Sequence, residues 1–336
     1  MKSGNSHRGE RIGHQRWPRA ITVVIGSIVF LYAFAVVSSA QSLIPAPIHG
    51  VTVDDKNDIR DAVFLAKLLE SLRHLSVKPT ARIVYTPGNK DGYFSANSYL
   101  DATREIRSAA YVFGQPVDSF YMKCFTPAEH LARFKDYVTV LGPSVDIWEV
   151  GNEINGDWLF GDTRDCSPKV SVTFTSQADV VTKMTETYDY LKSQGKLTAL
   201  TLYYDGTSSW FNSHEMFRWT KANVPARMKT GLDYVLVSYY ELDHGGFKPD
   251  WQDIASRLAA IFPNSKLGIS EFGWSDTKAP GAVIKDIVTR YYAVHPNVPS
   301  WVGGGFYWEF AIDMVPYDSA SESLWNTINT AMVNQK

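Results

Sequence analysis

The sequence predicts an α/β protein of the (β/α)8 TIM-barrel class, built as a single domain over residues 41–336. Three observations predict it. Eight short β-branched or aromatic runs recur along the chain, longer amphipathic runs separate them, and the chemically notable residues fall where the short runs end. Each parallel strand pair needs a crossover helix, and this alternation over about 290 residues is what a closed barrel requires. An open doubly wound sheet is the alternative, but no Gly-x-Gly-x-x-Gly turn follows the first strand. Its dinucleotide-binding form therefore lacks a phosphate cradle.

The elements follow in order. Lys2, Arg8, Arg11, Arg16 and Arg19 precede an apolar run from Ala20 to Val37 that ends in Ser38-Ser39-Ala40. A basic flank, an apolar stretch and small residues at its end read as a signal peptide over residues 1–40, cleaved after Ala40. The run also approaches the ~18 to 20 apolar residues that span a bilayer, so an uncleaved membrane anchor is the second reading. Either way the rest of the chain is expected outside the cytoplasm, secreted or periplasmic, and in contact with a membrane only through an uncleaved segment.

Pro45-Ala46-Pro47 reads as an extended lead-in. Strands are then expected at Ile48 to Val53, Ala81 to Tyr85, Ala110 to Phe113, Val145 to Val150, Thr198 to Leu202, Tyr234 to Ser238, Lys266 to Ser270 and Gly303 to Trp308. Between the first two, Ile59, Ala62, Val63, Ala66, Leu69 and Leu72 recur at three- and four-residue steps, the spacing of a helix with one apolar face. Thr126-Pro127-Ala128-Glu129 supplies a capping residue with proline at the first helical position, and Ala178 to Leu191 reads as a further helix.

Composition narrows the partner. With 45% apolar residues, 13% aromatics and a formal net charge of −2, the chain can bury a large core and carries no basic footprint for nucleic acid. A neutral, hydroxyl-rich ligand suits it, since flat rings stack on the apolar faces of sugars. The eight histidines show no His-x-x-x-His spacing, and no Gly-x-Ser-x-Gly elbow occurs, so neither a metal site, a cofactor nor a serine hydrolase is expected. The two cysteines, Cys124 and Cys166, lie in loops after successive strands and are expected to pair in an oxidising compartment.

The chemistry is concentrated in two stretches. Trp148-Glu149-Val150-Gly151-Asn152-Glu153 ends an apolar strand with an Asn-Glu pair, and Leu267-Gly268-Ile269-Ser270-Glu271-Phe272-Gly273-Trp274 repeats the arrangement of buried strand and glutamate at the tip. Strand ends face the cleft of a barrel. Paired carboxylates there are the equipment of glycosidic bond cleavage: one protonates the leaving oxygen, and the other attacks the anomeric carbon. Glu149 and Glu309 are read as structural.

Asn152-Glu153 after the fourth strand and Glu271 after the seventh resemble the paired signatures of glycoside hydrolase clan A. The resemblance extends over the mature chain and implies a retaining β-glycosidase with Glu153 as acid/base, Glu271 as nucleophile and Asn152 on the sugar 2-hydroxyl. By the same likeness, Arg82 on the second strand lies beneath the nucleophile. Tyr240 hydrogen-bonds it, with Tyr239 as the rival, and Trp308 floors the subsite for the cleaved sugar. Trp158, Trp210 and Trp274 fall in loops after strands and are read as stacking platforms of an extended, endo-acting groove.

Two local likenesses point to different sugars. Val150 to Ile154 and Ser238-Tyr239-Tyr240 are similar to β-1,4-galactanases, whereas Ser270 to Ser275 is similar to β-1,3-glucanases, with Ser275 where that pattern has proline. The substrate is therefore expected to be a polysaccharide or oligosaccharide of unassigned linkage, bound by a monomer. A non-catalytic carbohydrate-binding barrel and a transglycosylase using the same pocket remain the alternatives.

Overall fold

Eight parallel strands close into a barrel in the computed structural model, which describes residues 42–54, 58–89, 92–166, 173–206, 214–275 and 278–336. In chain order they are β1 (Ile48–Val53), β2 (Thr80–Val84), β3 (Tyr111–Gln115), β4 (Ile147–Gly151), β5 (Thr198–Tyr203), β6 (Tyr234–Ser238), β7 (Lys266–Glu271) and β8 (Trp301–Tyr307). Each pairs with its sequence neighbours, and β8 closes on β1. Residues 39–336 form one compact unit. The expected leader at residues 1–40 lies outside the described residues, and no described helix is long and apolar enough to cross a membrane.

The helices cover the barrel for the reasons read in the sequence. Helix α1 (Ala62–His74) starts at Asp61, whose carboxylate accepts from the Val63 and Phe64 amides, and buries Leu65, Leu68, Leu69 and Leu72. Helix α2 is Leu100–Ala109. Helix α3 (Pro127–Leu141) opens with a capping box between Thr126 and Glu129, and Ser176 with Asp179 does the same for α4 (Gln177–Ser193). Each box satisfies amides that a helix start leaves unpaired.

Strand β8 departs from its expected form. Its glycines, 303 to 305, all have positive φ, and a β-carbon at Gly304 would lie 2.2 Å from the Ile269 carbonyl oxygen. Only glycine lets the closing strand approach β7 this closely.

The barrel interior is layered. Ile44, Ile48, Tyr234 and Leu236 fill the bottom, where the Ile44 amide donates to the Tyr234 hydroxyl. Phe113 and Phe306 pack edge to face above them. Arg82 follows, its guanidinium 5.7 Å from the Phe113 ring and also 5.7 Å from the Trp308 ring. An apolar plug thus ends in a charged layer just below the carboxyl ends of the strands, the end at which barrels place their chemistry.

A disulfide joins Cys124 to Cys166, with Cα atoms 5.6 Å apart. It ties the segment after β3 to the loop that follows β4. Closing 42 residues of chain is worth about 4 kcal/mol in the loop-entropy treatment.

Candidate active site

Local backbone geometry sets the two glutamates differently. Glu271 is the last residue of β7, and a register shift between Val237 and Ser238 on β6 sets Ser238 opposite it. Glu153 lies two residues beyond β4, past a second register shift at Glu149 to Gly151. Bulges of this kind re-aim side chains at barrel rims. Glu153 also has φ 45°, the one positive value at a non-glycine residue among those described. That conformation costs about 1–3 kcal/mol and persists only where its surroundings enforce it.

The two carboxyls meet at one hydroxyl. Ser238 Oγ lies 2.6 Å from Glu153 Oε1 and 3.4 Å from Glu271 Oε2, which caps the separation of those oxygens at 6.0 Å. Glu271 is further held by Arg82 Nη2 at 2.7 Å and Asn152 Nδ2 at 2.7 Å on Oε1, and by the Tyr240 hydroxyl at 3.0 Å on Oε2. Glu153 Oε2 accepts from Ser119 Oγ at 3.0 Å.

Electrostatics separate the pair. Burial, the Glu271 charge and Asp118 push Glu153 well above the ordinary carboxyl range, against the opposing pull of the Ser238 and Ser119 hydroxyls. These causes favour its protonated form. Glu271 faces three donors, a guanidinium, an amide and a phenol. Burial and the Glu271 charge together keep the Tyr240 phenol protonated, as a donor.

The structure brings together most of the residues singled out in the sequence, with differences of placement. Tyr240 rather than Tyr239 reaches Glu271; the Tyr239 hydroxyl turns away to the Phe247 carbonyl, as strand alternation requires. Arg82 is 0% exposed, with Nη2 2.7 Å from Glu271 Oε1, and has no surface to offer a sugar, so it is not a substrate-binding residue. Asn152 is committed at both ends of its amide: Oδ1 accepts from the Ser119 N–H, and Nδ2 gives one proton to Glu271.

Trp158 and Trp308 line the cleft. Trp274, expected as a platform, is not among the lining residues; its indole N–H donates to Asp313, which also accepts from Tyr307 and pairs with Lys278. Trp210 lies outside the described residues. Glu309 supports the same loop: its Oε2 accepts from the Trp274 amide and occupies the space where a side chain at Gly273 would go, 2.3 Å from the β-carbon position.

The cleft measures about 440 Å³. Its lining adds Asp118, Ser119, Phe120, Tyr203 and Asp243, none of which was singled out from sequence, and Ser275, which was noted only for standing where the glucanase pattern has proline. Ser238 could have been found, because it shares strand parity with Tyr240. Ser119 and Asp118 sit in a 3-10 segment, Ser119–Cys124 and its cap, where no periodicity marks them. Glu149 was read as a strand residue; it forms a buried ion pair with Arg82 at 2.8 Å. Among the described residues no group of three or more His, Cys, Asp or Glu side chains is arranged to hold a metal ion.

No protein-family model and no curated protein matches the chain. Solved structures do. The chain resembles ScGas2 in complex with compound 8 at 13% identity and TM-score 0.53, covering 87% of this chain and 64% of that one. It resembles a β-glucuronidase of Bacteroides uniformis at 13% identity and TM-score 0.50, covering 86% of this chain and 35% of the other. The chain thus spans under two thirds of either. These neighbours share the barrel fold. At such identity the likeness is one of fold.

Proposed function

We propose that this protein is a retaining β-glycosidase that cleaves a neutral polysaccharide internally by double displacement. Glu271 attacks the anomeric carbon and forms a glycosyl ester while Glu153 gives its proton to the departing glycosidic oxygen. Water then attacks the same carbon, Glu153 takes the water's proton, and the Glu271 carboxylate leaves. One observation carries the reading: a single serine hydroxyl touches both carboxyls and holds their oxygens within 6.0 Å. Retaining enzymes need about 5–5.5 Å, whereas inverting ones leave about 6.5–9.5 Å for a water.

The preference for a neutral chain rests on the lining. Four carboxylates border the cleft, Asp118, Glu153, Asp243 and Glu271, and no lysine, arginine or histidine is among the described lining residues. Uronic acids would meet like charge. Phe120, 56% exposed, with Trp158 and Trp308 offers ring faces to successive sugars. Asn152 has a second amide proton for the 2-hydroxyl of the bound ring. The disulfide and the leader-like residues 1–40 support export, with the mature chain beginning near Gln41.

The test uses purified protein on β-glucans, galactans, mannans, bacterial exopolysaccharides and a polyuronide, with the anomer of the first product followed by NMR. Release of the β-anomer from a neutral glycan, and trapping of Glu271 by a 2-deoxy-2-fluoro glycoside of the same sugar, are the expected results. Release of the α-anomer would remove the retaining mechanism, and transfer products at high substrate concentration would make the enzyme a transglycosylase.

A further inference from the structure

The charged layer under the cleft holds one cation between two carboxylates. Arg82 Nη2 lies 2.7 Å from Glu271 Oε1 and 2.8 Å from Glu149 Oε2, and Arg82 Nε and Nη2 make two further bonds of 3.1 Å to Glu149. Thr201, from β5, donates its hydroxyl to Glu149 Oε1. The side chains of Arg82 and Glu149 are both 0% exposed. Phe113 and Trp308 flank the guanidinium, so no solvent can stand in for a missing partner.

We propose that Glu149 is a positioning residue for the reaction: it fixes Arg82 beneath Glu271 and keeps that buried cation paired when Glu271 gives up its charge to the glycosyl bond. This rests on the function proposed above. Above about pH 7, where Glu149 is ionised, Arg82 faces two carboxylates in the resting site. When the Glu271 oxygen bonds the anomeric carbon, the carboxylate becomes a neutral ester, its electron pair now in the new C–O bond, and the proton of Glu153 has gone to the leaving oxygen. Arg82 then faces Glu149 alone, one cation to one anion. Without Glu149 the guanidinium would bind Glu271 more tightly before attack and be left unpaired after it. An unpaired buried charge is among the costliest arrangements in a protein. Glu149 thus makes Glu271 freer to attack and makes the intermediate tolerable.

The titratable groups facing Glu149 are Arg82 from β2 and Glu271 from β7; Thr201 from β5 faces it without titrating. Burial raises Glu149 to about 7, against the attraction of Arg82 and the Thr201 hydrogen bond. Below that pH the side chain takes up a proton and Arg82 acts on Glu271 alone. Formation of the intermediate should therefore be faster above about 7 than below it, giving the kcat/KM profile an inflection there.

The experiment compares wild type, Glu149→Gln and Thr201→Val on an aryl glycoside with a good leaving group, by stopped-flow burst and pH profile. In Glu149→Gln the expected results are a roughly tenfold or greater fall in the rate of intermediate formation, loss of the burst, a raised KM and no inflection near 7. Thr201→Val removes a donor to the carboxylate and should shift the inflection to higher pH while the enzyme stays folded, so it serves if Glu149→Gln does not fold. A merely structural glutamate would lower the melting temperature and leave burst and inflection as in wild type. That result in both variants overturns the proposal. A wild type that cleaves no glycoside and takes no label at Glu271 instead overturns the function it rests on.

Discussion

The ends of β4 and β7 carry the same side chain in opposite surroundings. At the tip of β7, Glu271 is the last strand residue, past a register shift, and meets a cation, an amide and a phenol. Beyond β4, Glu153 stands in a left-handed conformation and meets two serine hydroxyls. The β7 end is furnished for a negative charge, whereas the β4 end holds a proton against release. In the proposed reaction, identical chemistry would be divided into acid and nucleophile by environment alone.

The strongest way to break this contrast is to remove the β7 carboxylate. Glu271→Ala should lower kcat by about 10⁴-fold or more, and azide should restore turnover by giving the inverted glycosyl azide, checked by NMR. An unaltered rate would end the assignment. Next, Glu153→Gln should cut hydrolysis of substrates with poor leaving groups about 10²–10⁴-fold while sparing activated aryl glycosides, so the ratio between two leaving groups is the measurement.

Smaller effects sharpen the comparison. Ser238 lowers the Glu153 proton affinity, so Ser238→Ala should raise it and move the basic limb of the pH profile upward by up to about one unit. A downward move would contradict the role given to that hydroxyl. The same linkage bears on stability. A carboxyl raised in the folded state favours folding only at low pH, and that contribution is lost as pH rises through the raised value. Glu153→Gln, with no charge to bury, should therefore melt above wild type at pH 8, by about 2–4 °C, and match it near pH 4, as calorimetry can check. The mildest change is Phe120→Ala at the rim, expected to raise KM severalfold with kcat little changed.

The sequence reading reached some of this and missed the rest for physical reasons. β1 and β6 were read to the residue because short runs rich in β-branched and aromatic residues mark strands. The start of β8 was missed: the strand was expected from Gly303 to Trp308 and runs from Trp301 to Tyr307, with its three glycines crowded by the Gln335 side chain, the Ile269 backbone and the Tyr292 ring. Arg82 was legible as buried, since Ala81, Ile83 and Val84 flank it. Its partner was not, because nothing in Glu149 itself distinguishes a carboxylate pointing inward from one at a surface. Trp274 misled for a related reason: an aromatic in a loop after a strand can face sugar or scaffold, and the deciding contact, Asp313, is distant in sequence.

The bridge between Cys124 and Cys166 has a consequence for where activity can arise. It crosslinks the segment that carries Ser119 to the one that follows Glu153, the two pieces of chain that shape the proton donor. On the proposed roles, reduced polypeptide would hold its nucleophile in place and its acid unsupported, so that oxidation of this one cysteine pair would complete the site.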